Sequence, residues 1–367
     1  MALIKDIYSQ PFYEQFGERV TEVFPQFDKE AFVRSALSAA FKDMEWKERM
    51  KHTTRVFHEF APKDFEQAAS LILAVIKQIQ LKQSGTDTLA YVFFPDYIST
   101  YGLDDFDSAV KALEQVTQFV SCEFAVRPFI LKYGDRMIGQ MIRWSAHENY
   151  TVRRLASEGS RPRLPWAMAL PALKKDPSAI LPLLENLKND PSEWVRRSVA
   201  NNINDIAKDH PDVVIALAKK WKGISKETDA IIKHGCRTLL KQGHQEILKH
   251  YGLDGSHAEI SGLTVLTPLV RTGDSLEFSF VLRNLEPSAQ TIRLEYGIYY
   301  LKSNGLLSKK VFKISEKVYP ENAVVTILRK QSFRLITTRV FYPGIHQLSV
   351  IVNGEEKCFD TFSYELN

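Results

Sequence analysis

Near residue 256 of this 367-residue chain the spacing of apolar residues changes period, and that change limits the folds open to it. Before it, apolar residues recur every three or four positions, as on a helix with one buried face. After it, short runs alternate apolar and polar, as half-buried strands do. LTVLTPLV, SLEFSFVLRNL, TIRLEYGIYYL, KKVFKISEKVY, ITTRVFYPGIHQLSVIVNG and KCFDTFSYEL follow one another, with RTGD, SNG and NGE as turns between some of them. The expected architecture is multidomain, α then β. Residues 1–255 form a helical domain and residues 257–367 an immunoglobulin-like β-sandwich. Tyr342 is placed either as the tyrosine corner of such a sandwich or as an ordinary buried tyrosine.

The helical part opens with DKEAFVRSALSAAF, where Asp28 can cap and Phe32, Ala36, Ala39 and Ala40 share a face. EWKERMKHTTRVFHEFAP and DFEQAASLILAVIKQIQ continue the pattern. A longer run from Gly102 to Gly134 should stop near Pro128. Beyond it the helices repeat. TVRRLASEG and WVRRSVANN share V-R-R at 152–154 and 195–197, an offset of 43 residues, and IIKHGCRTLLKQG reads as a weaker third copy. Asp176-Pro177 and Asp190-Pro191 read as helix starts, with Asp190 as cap, Pro191 at the first helical position and Glu193 completing a capping box. An offset near 40 with paired short helices predicts a HEAT-like solenoid.

Several classes of function drop out. The cysteines, Cys122, Cys236 and Cys358, are odd in number and far apart, so neither a disulfide framework nor a zinc site is expected. No Walker loop, dinucleotide fingerprint, H-E-x-x-H or G-x-S-x-G motif occurs, and the nine histidines are scattered. The expectation is a chain with no metal and no cofactor. MALIKDIYSQPFYEQFG lacks an apolar signal core, and no stretch reaches the ~18 consecutive apolar residues of a membrane span. A soluble, cytoplasmic, monomeric protein that binds no membrane is expected.

Net charge is only +4, so any affinity for a polyanion must come from clustering. Between Arg127 and Trp166 stand eight Lys/Arg against three acids. Arginine's planar fork suits phosphate, and a solenoid offers a long surface on which to lay it. A solvated face with local salt bridges is the plainer account of the same residues. Three acids stand out. Glu123 follows the apolar stripe of Val116, Phe119 and Val120, and either pairs with Arg127 at i,i+4 or lines a pocket that wants negative charge. Asp205 shares a polar face with Trp194, Ser198, Asn201 and Asn202, beside a core stripe of Val195, Val199, Ile203 and Ile206. That face is either a cleft wall or the boundary of an amphipathic helix. Glu158 sits among Arg153, Arg154, Arg161 and Arg163.

VRRLASEGSRPRLPWA resembles the signature stretch of the HEAT-repeat DNA alkylation repair glycosylases, specifically the AlkC branch. SCEFAVRPFI and WVRRSVANNINDIAKDHP fit the same pattern, and some members of that branch carry a C-terminal immunoglobulin-like domain. The resemblance implies a monofunctional glycosylase that releases cationic N-alkylated bases, chiefly 3-methyladenine and also 3-methylcytosine and 1-methyladenine, without flipping the base. It implies double-stranded DNA carrying such bases as partner. It also implies that Glu123, Glu158 and Asp205 are site carboxylates, with Asp205 acting on water and Trp166 as aromatic wall. Arg153, Arg154, Arg161, Arg163, Arg196 and Arg197 are then phosphate-contact candidates. The second domain is expected to close around the duplex. A non-catalytic HEAT scaffold that binds DNA structures or a protein is the competing expectation.

Overall fold

Short polar side chains decide where many of the helices begin. Asp28 Oδ1 accepts from the Ala31 amide at 2.9 Å, Asp105 Oδ1 from Ser108 at 3.1 Å and Asn149 Oδ1 from Thr151 at 2.9 Å. The computed structural model describes residues 3–82, 88–253, 255–335 and 340–366; the ITTR that opens one of the expected strand runs lies outside them. Helices come first: α1 (Gln10–Val23), α2 (Lys29–Ala36), α3 (Trp46–Phe60), α4 (Phe65–Lys82), α5 (Phe93–Tyr101) and α6 (Phe106–Val116). Next are α7 (Val126–Tyr133), α8 (Asp135–Trp144), α9 (Tyr150–Gly159), α10 (Pro171–Lys175), α11 (Leu181–Leu187) and α12 (Glu193–Ile206). The last four are α13 (Pro211–Trp221), α14 (Lys226–Gly235), α15 (Arg237–Lys241) and α16 (Gln245–His250). Among the described residues no helix is long and apolar enough to cross a membrane.

By packing, the chain divides into two compact units, Met1–His210 with Trp221–Gly235, and Pro211–Lys220 with Cys236–Asn367. In the first unit the repeat seen as V-R-R has a physical basis. Val152 and Val195 are both fully buried. Arg153 donates through one terminal nitrogen to the carbonyls of His147 and Glu148, at 2.9 and 2.6 Å. Arg196 does the same to Asp190 and Pro191, both at 2.8 Å, the positions 43 residues on. The first arginine of each pair thus staples the turn that precedes its own helix. Helix α9 packs on α12 and α12 on α14. Glycine permits both approaches of α9 and α14 to their neighbours. A Cβ on Gly159 would meet Val126 Cγ2 at 2.4 Å, and one on Gly235 would meet Ile203 Cγ2 at 2.6 Å.

Four local expectations are corrected. Helix α2 ends at Ala36, and a separate 3₁₀ turn spans Ala39–Asp43. Ser38 is extended, which rotates Ala39 and Ala40 into solvent and buries Phe41 in their place. The run through Pro128 is two helices, and Pro128 lies in the first turn of α7, where a missing N–H is no loss. Asp190 does not cap α12. Its carboxylate is held by Arg153 at 2.6 and 3.1 Å and accepts from the Ser192 amide, so Ser192 is the N-cap and the helix starts at Glu193. The third repeat copy is split, since α14 ends at Gly235 and α15 falls in the other unit.

The second unit carries the β-sandwich. Its strands are β1 (Ala258–Val265), β2 (Leu269–Arg271), β3 (Ser275–Asn284), β4 (Gln290–Leu301), β5 (Leu307–Tyr319), β6 (Val324–Ser332), β7 (Gly344–Val352) and β8 (Glu355–Glu365). One sheet has the order β1-β3-β6 and the other β2-β8-β7-β4-β5, antiparallel except for the β2–β8 pair. Alternate residues build the core, Leu276, Phe278, Phe280 and Leu282 from β3 against Ile292, Leu294, Tyr296 and Ile298 from β4. The β7–β8 hairpin turns on Asn353-Gly354, both at positive φ, as a two-residue hairpin with the strands' own twist requires. Tyr342 is only half-buried, and its carbonyl accepts from His346 Nε2 at 3.0 Å. The buried ring at that corner is His346, packed on Tyr300, Phe362 and Tyr364.

Candidate active site

Ser198, Asn202 and Asp205 fall four and three residues apart, so they share one face of α12, and that face meets the C-terminal half of α9. All three side chains are buried, as are Ser157 and Glu158 on α9. Buried polar groups need partners, and here they find each other. Ser198 Oγ donates to Glu158 Oε2 at 2.6 Å, and Ser157 Oγ donates to Ser198 Oγ at 2.7 Å. Asn202 donates to the Ser157 carbonyl at 2.8 Å. Trp194, from the same polar face of the sequence, is instead exposed at the far end of α12. Asp205 therefore lines an interior network, not a helix boundary.

Arg161 joins the two helices. Its Nε donates to Asp205 Oδ2 at 2.9 Å and a terminal nitrogen to Glu158 Oε1 at 2.7 Å. Burial alone would lower the guanidinium's pKa, but the two carboxylates outweigh it and the net shift is upward. Lys208, one turn on, reaches the other oxygen of Asp205 at 3.2 Å. Beneath them lies Arg127, fully buried. Its Nε donates to the Met168 carbonyl at 2.7 Å, and one terminal nitrogen donates to Gly159 and Arg161 carbonyls at 3.0 and 2.8 Å. Burial, with Arg161 nearby, pushes its pKa down to about 10. One guanidinium thus gathers both ends of the segment from Gly159 to Met168.

That segment carries Trp166. Its backbone stands at φ 64°, the left-handed region that a bulky residue enters only under constraint, at a cost of roughly 1–3 kcal/mol. The constraint is visible. Pro165 precedes it, and Lys47 of α3 donates to the Trp166 carbonyl at 2.8 Å. The residue is 78% exposed, so it is offered to solvent and does not wall an enclosed pocket.

Glu123 is corrected. It lies in the turn between α6 and α7, not on a helix edge, and does not pair with Arg127. Its Oε2 accepts from Arg154 at 2.9 Å and from Ser121 at 2.5 Å. Arg154 stands one turn before Glu158 on α9, so Glu123 joins the same face of the site. The arginines divide. Arg153 is bound to Asp190, Arg161 to Glu158 and Asp205, and Arg163 to Asp209 at 2.6 Å. Arg163, its hydrogen bonds first and its charge next, holds the Asp209 carboxyl below the usual carboxylate range. Arg196 holds its own turn, and with Arg197 it lines a groove between α12 and α14 that Glu193, Lys226, Glu227 and His234 also line. Ser198 and Asn202 were visible in the sequence as polar companions of Asp205. Arg127's role as a clamp and Lys47's reach to the loop gave no local signal.

This order of domains has counterparts. The chain is 35% identical to the structure of Pseudomonas fluorescens alkylpurine DNA glycosylase AlkC bound to DNA containing an abasic site analog, covering 99% of this chain and 100% of that one, with a TM-score of 0.93. The chain belongs to the AlkC family. Uncharacterized protein YhaZ of Bacillus subtilis (strain 168) is 42% identical over 358 residues, 97% of this chain and 98% of its own. Residues 259–365 match the family model of the C-terminal Ig-like domain of uncharacterised protein YhaZ, and residues 180–210 match the HEAT repeat. In this AlkC-family chain the HEAT match spans α11 and α12, the elements that lead to and carry Asp205.

Proposed function

We propose that this AlkC-family chain is a monofunctional DNA glycosylase that hydrolyses the N-glycosidic bond of cationic N-alkylated bases in duplex DNA, 3-methyladenine first and 3-methylcytosine and 1-methyladenine besides, acting as a cytoplasmic monomer. The observation that carries the reading is the pair Glu158 and Asp205, brought from two helices onto the guanidinium of Arg161, with the exposed Trp166 on the same segment between α9 and α10. Alkylation makes the base a cation and so a ready leaving group. As the bond from C1′ to the base nitrogen breaks, positive charge develops on the sugar, and fixed carboxylates nearby stabilise it. Asp205 Oδ1 is the oxygen for the attacking water. Its bond to Lys208 is the long one, and Lys208 is partly exposed and free to swing aside. Water oxygen bonds to C1′, its proton passes to Asp205, and the base leaves with the bonding electrons. Trp166, presented on the surface, faces the cationic nucleotide and attracts it through its ring, which suits reading a lesion without flipping the base. Arg154 and Arg197 contact phosphate, and Glu123 sets the position of Arg154.

The test is release of free 3-methyladenine from methylated duplex DNA, followed by chromatography. Turnover supports the glycosylase. Binding of DNA with no base released at any enzyme excess ends this reading and leaves a HEAT scaffold.

A further inference from the structure

Four of the six arginines expected on phosphate already hold a carboxylate of the protein: Arg153 that of Asp190, Arg154 that of Glu123, Arg161 those of Glu158 and Asp205, and Arg163 that of Asp209. On α3 the balance is reversed. Lys47, Lys51 and Arg55 follow at four-residue intervals and all three are exposed. Among the described residues neither Lys51 nor Arg55 has a hydrogen bond or an ion pair. Four residues of helix advance about 6 Å, so the row spans about 12 Å. That is the axial rise of three to four nucleotides of one DNA strand, at about 3.4 Å each. The row also has a fixed starting point, because Lys47 donates to the carbonyl of Trp166 at 2.8 Å.

Lys51 and Arg55, both exposed, line a cleft of about 450 Å³ between α3 and α5. In its wall the buried Thr54 donates to the half-buried Asp96 Oδ2 at 2.7 Å, whereas Glu48 lines the cleft at its exposed rim. The Asp96 carboxyl repels a free anion that sinks inward, whereas an anion lying across the exposed rim meets Lys51 and Arg55. The arrangement suits a polymer backbone passing over the cleft and not a small anion within it.

We propose that Lys47, Lys51 and Arg55 form a second backbone seat, which carries the DNA strand away from Trp166 along α3. This rests on the reading of the chain as acting on DNA. The test compares the full-length protein with the double variant Lys51→Ala, Arg55→Ala, measuring the affinity for a methylated duplex across a salt series and single-turnover base release at saturating DNA. Each duplex phosphate contact contributes about 0.9 to the slope of log affinity against log salt, so the double variant should lose about 1.8 from that slope while its release rate at saturation holds. The charge-preserving pair Lys51→Arg, Arg55→Lys should keep the wild-type slope. A wild-type slope in the double alanine variant overturns the proposal and leaves the glycosylase reading intact. So does a fall in the saturated release rate with the slope unchanged. A wild-type protein that neither binds DNA nor releases base removes both.

Discussion

Arg161 and Asp205 meet across 44 residues of sequence, Nε to Oδ2 at 2.9 Å, in the interior between α9 and α12. The contact fixes one oxygen of Asp205 and leaves the other to Lys208. Asp205→Asn keeps an acceptor for Arg161 and nearly the same volume, but removes the proton acceptor for water. Base release should fall by about 10²- to 10⁴-fold. Binding of an abasic-site duplex should hold close to wild type. Single-turnover release measured beside equilibrium binding checks this, and full activity in the variant moves the water-activating role to another residue.

Arg161 itself is a positioning residue between two buried carboxylates. Arg161→Met leaves the buried Glu158 and Asp205 without their shared cation. Breaking a buried pair from one side costs about 3–5 kcal/mol, more than the charge reversal of an exposed arginine such as Arg34 could. Thermal and urea unfolding of the two variants measure the difference. Equal stabilities would mean that the network is relaxed or hydrated in solution.

The two fold types and the repeat were legible because they are written in period and in caps, both local. V-R-R was read from spacing, and its meaning, an arginine stapling its own preceding turn, lies within six residues of the chain. Asp190 shows where local reading stops. Its sequence context asks for a helix cap, yet Arg153, 37 residues away, takes the carboxylate. Glu123 is the same case, since the nearby Arg127 looked like its partner while the partner in space is Arg154. Glu158 and Asp205 were marked by their neighbours, but that they share one guanidinium is a fact of how α9 packs on α12. The exposure of Trp166 was not legible, because its positive φ belongs to a turn closed by the Ala167 amide on the Leu164 carbonyl, and Lys47 reaches its carbonyl from 119 residues away.

In the sandwich, His346 gives a pH test independent of activity. Its ring is buried, Nε2 donates to the Tyr342 carbonyl and Nδ1 accepts from the Leu301 amide at 3.3 Å. Burial lowers its pKa against the smaller opposing effect of the Tyr342 bond. A histidine whose folded pKa is depressed binds more protons when unfolded. Its contribution to stability is therefore complete above the unfolded value of about 6.5 and is lost as pH falls from there toward the folded value. Wild-type protein should lose stability on acidification through that window. His346→Gln, less stable at neutral pH, should lose less, and parallel curves for the two proteins would show that His346 does not titrate on unfolding.

Arg127 offers the sharpest separation between holding the site and doing chemistry. It touches no carboxylate, and its three hydrogen bonds go to the carbonyls of Gly159, Arg161 and Met168. Arg127→Lys keeps a charge, but its single nitrogen cannot stand at both the Nε and the Nη1 positions, so at least one buried carbonyl loses its partner. The expected destabilisation is about 3 kcal/mol, from the lost charge-assisted bonds and the orphaned carbonyls. The loop should loosen with it. The Ala167 and Leu170 amides, which bond to the Leu164 and Pro162 carbonyls, should exchange hydrogen faster, while amides of β4 keep wild-type protection. Base release should slow because Trp166 and Arg161 are no longer held in register, but the salt dependence of DNA binding should not change, since Arg127 is buried and meets no phosphate. A variant with unaltered exchange at Ala167 and Leu170 but slow release would place Arg127 in the chemistry and not in the scaffold.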